Sequence, residues 1–286
     1  MVWRFALPTL AVLAALTAIP AARAADLPMP QPMMVPETGG WYLRGDIGFS
    51  NQNVGSLFNA SYSGFTSVTN VDRGFDAAPL FGLGIGYSFN RWLRFDVTGE
   101  YRGAANFHGL DVGTLPTCSG TAPCFADDHY TGSKSEWTFM FNGYVDLGTW
   151  YNFTPFVGAG VGVSRNTISN FGDFSTCIDS SNCALGGSSA FGGTASTWNF
   201  AWALHAGLAY QLSQNVTLEL AYRYIDLGKA RSGDLVAFDG TNNIYNPMEF
   251  NHLTSNDVKL GLRFNFGGED FYRPRPVYMP PLNSKG

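Results

Sequence analysis

The chain has 286 residues, a formal net charge of −5, 15% aromatic residues, 14% charged residues and 34 glycines. An acidic chain with so few cations cannot neutralise the phosphates of a polynucleotide, which excludes nucleic acid as a partner. Aromatics outnumbering charges is unusual for a water-soluble protein, and no segment after the N-terminus reaches 18 consecutive apolar residues, which excludes a helical membrane protein.

The N-terminus reads as a secretory signal. Arg4 supplies a weak positive end, Ala6 to Ile19 form an apolar core, and Ala22-Arg23-Ala24 has the small-x-small form of a cleavage site. The apolar run is too short to anchor the chain across ~30 Å of hydrocarbon. Residues 1–24 are therefore expected to be removed before Ala25. Loss of Arg4 and Arg23 leaves 15 of the 17 cations against 22 acids, a formal −7. Residues 25–40, with Leu27-Pro28-Met29-Pro30 and Met33-Met34-Val35-Pro36, lack periodicity and read as an extended Pro-rich periplasmic leader. Methionine sulfur suits copper, but no His or Cys accompanies these residues; the linker reading is preferred, and no cofactor or metal is expected.

From Trp41 onward the pattern alternates with period two, the mark of strands with two unlike faces. Eight such segments follow: Trp41–Phe49, Leu80–Phe89, Trp92–Arg102, Trp137–Leu147, Pro155–Ser164, Trp198–Leu212, Val216–Ile225 and Asn256–Phe266. The second sets Phe81, Leu83, Ile85 and Tyr87 against Gly82, Gly84, Gly86 and Ser88; the seventh sets Leu218, Leu220, Tyr222 and Tyr224 against Thr217, Glu219 and Arg223. Connections alternate in length. Short turns near residues 90, 150 and 214 separate long polar stretches at about Ser50–Ala78, Gly103–Glu136, Arg165–Thr197 and Asp226–Ser255. Even strand number, segments of about ten residues, short turns at one end and long loops at the other are the pattern of an outer-membrane barrel. A β-sandwich is the rival fold, but it would bury the apolar face, and here that face carries the large aromatics while charges cluster on the other.

The fold expected is all-β: an eight-stranded antiparallel transmembrane β-barrel over residues 41–266, with short periplasmic turns and four long extracellular loops. Eight strands leave an interior that side chains fill. The inward set is Arg44, Asp46, Arg94, Asp96, Glu100, Asp146, Glu219, Arg223, Lys259 and Arg263, nearly balanced in sign as buried charges must be. The glycine rows Gly82/Gly84/Gly86 and Gly158/Gly160/Gly162 leave room for long Arg and Glu side chains opposite, so a plugged, salt-bridged lumen follows. Aromatic girdles are expected at Trp41, Phe89, Trp150, Tyr151, Tyr210 and Phe266 on the periplasmic side, and at Phe49, Tyr101, Trp137, Trp198, Tyr222 and Tyr224 on the outer side. In an exported chain the local pairs Cys118/Cys124 and Cys177/Cys183 read as disulfides rather than as zinc ligands.

These residues resemble the small surface-antigen barrels of alphaproteobacteria, related in architecture to opacity-type proteins and the OmpA transmembrane domain. The resemblance rests on the Pro-rich leader, on Gly40-Trp41-Tyr42-Leu43-Arg44-Gly45-Asp46-Ile47-Gly48, on the Phe81–Tyr87 strand, on Glu219-Leu220-Ala221-Tyr222-Arg223-Tyr224 and on Val258–Phe266. It implies an envelope protein that supports outer-membrane integrity and presents loops for surface or host contact. Its partners would be outer-membrane lipids, lipopolysaccharide, the barrel assembly machinery and a surface or host ligand. The chain departs from the family in continuing past the aromatic Phe266 into a Pro-rich periplasmic tail, residues 267–286.

Several sharper readings are set aside. The Gly-x-Gly-x-Gly runs lie within strands with no following helix, unlike a nucleotide loop. Arg44-Gly45-Asp46 looks like an adhesion tripeptide, but its alternation turns Arg44 and Asp46 inward. Some eight-stranded barrels modify lipid A and need a nucleophile beside a base; His205 is inward without a serine on its local face, and His108, His129 and His252 fall in loops. No catalysis is expected. A narrow channel remains the alternative function, with a lipid A-modifying enzyme behind it. The loop acids Asp127, Asp128, Asp234, Asp239 and Glu249 read as solvated charge before they read as calcium ligands.

Overall fold

The structure, a computed structural model, describes residues 39–116, 124–178 and 187–266. The strands are β1 (Gly40–Phe58), β2 (Ser67–Phe75), β3 (Ala78–Ser88), β4 (Leu93–Leu115), β5 (Cys124–Asp146), β6 (Phe153–Cys177), β7 (Ser188–Gly192), β8 (Ala195–Gln211), β9 (Val216–Arg231), β10 (Leu235–Ala237) and β11 (Glu249–Asn265), with a 3-10 turn at Ala60–Gly64. Eight of them, β1, β3, β4, β5, β6, β8, β9 and β11, pair antiparallel in that order. The pairing of β11 with β1, from Tyr42 opposite Asn265 to Phe58 opposite Glu249, closes the ring. Closure leaves no free edge in the ring, the condition for strands to cross a bilayer.

The turns at one end are short for local reasons. Asn90 Oδ1 accepts from the Trp92 and Leu93 amides, at 2.9 and 2.8 Å. Tyr151 and Asn152 take the left-handed backbone region between β5 and β6, at φ 50° and 69°, and Ser213 Oγ accepts from the Val216 amide. Leader residues before Gly39, the tail from Gly267, Cys118 and Cys183 lie outside the described residues. Cys124 and Cys177 are not free thiols, but their expected pairings rest on those two undescribed positions.

The expected strand ends need correction. β4, β5 and β6 are 23, 23 and 25 residues long, and stretches expected to be loops prove to be strand. Most of Gly103–Glu136 is the continuation of β4 and β5, paired from Ala105/Lys134 to Leu115/Cys124. The remaining short strands line these extensions: β2 pairs β4, β7 pairs β6, and β10 pairs β7.

On β4, β6, β9 and β11 strict alternation misses the extensions because the chain changes phase, whereas β5 keeps its even positions inward from Cys124 to Tyr144. The register slips between Arg102 and Ala105 on β4, and between Thr131 and Ser133 where β5 meets β6. It slips again between Phe250 and Leu253 on β11. Asn170, Gly228 and His252 take positive φ at the corresponding levels of β6, β9 and β11. Each such bulge inserts residues and exchanges the two faces of the strand beyond it. On β4 the inward residues are Arg94, Asp96, Thr98, Glu100 and Arg102 below the bulge, and Ala105, Phe107 and Gly109 above it. The interior therefore turns from charged to apolar at one level, while the outside turns from apolar to polar.

Candidate functional site

The lumen below the bulges is filled by one connected set of charges. At its periplasmic end Glu219 receives Arg263 Nη1 at 3.0 Å, Arg94 Nη2 at 3.3 Å and Arg44 Nη2 at 3.4 Å, while Arg94 Nε reaches Asp146 at 3.2 Å. Arg44 also spans Asp46 and Asp96, at 2.8 and 2.9 Å. Above it, Lys259 bridges Asp46 and Glu100, and Arg223 joins Glu100 to Asp257 at 2.6 and 2.7 Å. Arg102 continues the set, its Nη2 on Asp257 at 2.7 Å and its Nη1 on Glu136, which Lys134 closes off from above. The ten residues expected inward all lie in this set, including Arg44 and Asp46 of the adhesion-like tripeptide. Arg102, Lys134, Glu136 and Asp257 complete it, giving seven cations and seven carboxylates. Neutral groups finish the packing: Tyr42 Oη donates to the Phe95 carbonyl at 3.2 Å, and Arg94 lies over the Tyr144 ring at 4.2 Å.

The glycine rows are needed because the opposing side chains lie flat against them. A Cβ on Gly82 would meet Glu100 at 2.9 Å, as expected, but one on Gly84 would meet Thr98 at 2.8 Å before Arg44 at 3.1 Å, and one on Gly86 would meet Tyr42. Gly158, Gly160 and Gly162 instead receive Tyr144, Asn142 and Met140, not Arg or Glu.

Above the bulges the interior is an aromatic core. Phe107 packs against Phe75 at 5.0 Å, Phe250 at 4.9 Å and Phe171 at 6.4 Å, with Val54, Ile225, Leu227 and Leu253 around them. Farther out, Asp111 and Asp128 stand opposite each other on β4 and β5, with Asp173 next to them on β6. Tyr62 Oη donates to Asp111 at 2.6 Å, and Ser175 Oγ donates to Asp128. Burial, then the neighbouring Asp128 and Asp111, push the Asp173 carboxyl up to about 7.

Outside the ring, large apolar side chains stand in the open: Leu83 is 74%, Phe49 69% and Phe200 66% exposed. They form a belt from Trp41, Phe153 and Phe266 to Phe49, Trp137 and Trp198, which would be unstable in water. Nine residues from Trp41 to Phe49 rise roughly 30 Å along the strand, or ~25 Å once tilted, the height of a barrel's lipid-facing band. A closed ring, a belt of this height and a charged interior can coexist only in a bilayer. Residues 11–266 match the family described as outer membrane protein beta-barrel domain. The chain belongs to that family.

An uncharacterized protein of Brucella suis is 32% identical over 240 residues, covering 78% of this chain and 81% of the relative. A candidate adhesin of Rickettsia typhi is 29% identical over 233 residues, covering 78% and 87%. Among solved structures, Neisserial surface protein A aligns over 80% of this chain and all of its own, at 16% identity and a TM-score of 0.43. The protein is an outer-membrane β-barrel.

His205 of this barrel faces inward on β8 and packs on Tyr144 at 5.3 Å, its register partner being Arg223. His108, His129 and His252 lie on the cap exterior, within 3.9, 3.2 and 3.7 Å of Asp72, Asp127 and Asp226 respectively. Sequence reasoning missed Lys134 and Glu136 because they fall in a stretch taken for loop. Tyr42 and Tyr144 share the inward parity of Arg44 and Asn142, the available signal, but the expected inward set held charged residues only.

Proposed function

We propose that this barrel is a closed surface protein, supporting the envelope and presenting a rigid outer β-cap for contact with surface or host molecules. What carries the reading is the occupied interior. An ion-pair set runs from Arg263 to Lys134, and the aromatic core around Phe107 sits directly above it. These groups pair chiefly with one another, with Arg94 Nη1, Arg102 Nε and Arg263 Nε buried without a hydrogen-bond partner among the described residues, and the reading assigns the protein no catalytic step. The candidate adhesin among its relatives supports the contact role. Outer-membrane lipid, lipopolysaccharide and the barrel assembly machinery are its proposed partners in the envelope.

The test is electrical. Purified protein, shown to be folded by its heat-dependent gel migration, is inserted in planar bilayers. Silence is expected. Reproducible unitary currents would replace this reading with that of a narrow channel. Replacing the cap residues above the bulges with short turns is expected to abolish cell or surface adhesion while leaving the heat-dependent migration intact.

A further inference from the structure

Twelve lysines and arginines fall within the described residues, and seven of them are committed to the lumen. Of the five outside, Arg91 lies at a periplasmic turn and Arg73 on β2. The other three, Arg165 on β6 with Lys229 and Arg231 on β9, share one sector of the wall. That sector sits at the upper rim of the aromatic belt. Arg165 stands directly opposite Trp198, its guanidinium 6.0 Å from the indole centroid, and the Trp202–Tyr224 pair lies just below.

The backbone there is fixed by side chains. The β8–β9 ladder ends at Trp202/Asp226. Beyond it Ser164 Oγ and Asn166 Nδ2 reach from β6 to the Leu227 carbonyl, each at 2.8 Å. Asn166 also donates to the Lys229 carbonyl at 2.9 Å, and Asn199 Nδ2 donates to it at 2.7 Å. Gly228, at φ 75°, makes the bend that turns Lys229 outward. Arg231 faces Glu249 across β9 and β11. Asp226, the nearest outward carboxylate, accepts from the Gly228 amide at 2.9 Å and lies beside His252. Among the described residues no ion pair engages Arg165 or Lys229.

Arg165 and Lys229, which no ion pair engages among the described residues, flank Trp198 at the rim of the lipid belt, where an anionic headgroup would neutralise them. A guanidinium lying on an indole still presents its edge N–H groups, the fork that binds phosphate bidentately. We propose that Arg165, Trp198 and Lys229 form a site for the phosphorylated sugar headgroup of an outer-leaflet glycolipid. The inference gives the lipid partner above a location. It depends on the barrel's place in the membrane and not on whether the lumen is closed.

The test uses full-length folded barrel in three kinds of phosphatidylcholine vesicle: with diphosphorylated lipid A, with the same lipid A after enzymatic dephosphorylation, and with diphosphorylated lipid A plus excess inorganic phosphate. Lipid remaining bound after detergent extraction is counted by native mass spectrometry. Wild type is expected to keep the diphosphorylated lipid and lose the dephosphorylated one. Arg165→Gln with Lys229→Gln should lower occupancy about a hundredfold, the loss of two charge-assisted contacts at about tenfold each. Arg73→Gln should leave it unchanged, so a folding defect would be recognised, and Arg165→Lys, which keeps the charge but loses the fork, should retain only part of it. Equal retention of both lipids would overturn the site, as would equal loss in Arg73→Gln. Displacement of the lipid by inorganic phosphate alone would reassign the site to a free anion and overturn the glycolipid.

Discussion

At the scale of single residues, the lumen shows how buried charge is tolerated. Glu100 is shared by Lys259 and Arg223, with Arg102 at its side. Glu100→Gln keeps the volume but leaves two buried cations under-compensated, and should cost about 3–5 kcal/mol. Urea titration in lipid vesicles, followed by the fraction of heat-modifiable barrel, measures it. Asp173 behaves oppositely to a salt-bridged acid. Its carboxyl ionises at about 7 in the folded cap, against 3.8 when free. The folded cap therefore holds a proton that the unfolded chain has released, and the stabilisation is complete below about pH 4 and lost as pH rises through about 7. Amides of β6 and β7 should exchange faster at pH 8 than at pH 5.5 after correction for intrinsic rates, and Asp173→Asn should flatten the difference. Which residues point inward was legible for Arg44, Arg94 or Glu219, because parity alone decides it. Lys134 and Glu136 continue the inward parity of Thr138 and Met140, but they lie outside the expected strand, which starts at Trp137.

At the scale of elements, the bulges explain why eight strands could be found in the sequence and their lengths could not. Period two is readable only while its phase holds, and Gly103-Ala104, Asn170, Gly228 and His252 each reset it. Beyond them the strands look like polar loops, because a soluble-type face with Asn106 and His108 outward carries none of the aromatic signal of the belt. The cap core predicts its own fragility. Phe107→Ala opens the centre of the aromatic cluster and should cost about 3–5 kcal/mol. Limited proteolysis should then cut the β4–β5 extension while the membrane ring keeps its heat-dependent migration. The ring has a different weak point. A Cβ on Gly160 would collide with Asn142 Oδ1, whose amide nitrogen is held by Asp96 at 2.8 Å. Gly160→Val should sharply reduce the yield of folded barrel, and Asn142→Gly in the same chain should restore part of it.

At the scale of the molecule, charge and polarity are sorted by level. The lumen is neutral, with its seven cations matched by seven carboxylates, while the cap holds ten acids against four cations. The described net negative charge therefore lies entirely on the side facing the exterior. The exchange of faces at the bulges has a consequence for where the protein floats. A wall that is greasy outside below one line, and greasy inside above it, has a single draught at which both halves suit their surroundings. Sinking by one pair of residues, ~6–7 Å along a strand, would drown Arg165 and Lys229 in hydrocarbon. Rising by as much would strand Phe49 and Trp198 in water. The plimsoll mark is written into the chain at Gly103-Ala104, Asn170, Gly228 and His252, so lengthening the cap hairpins above it would raise the summit and leave the waterline where it is.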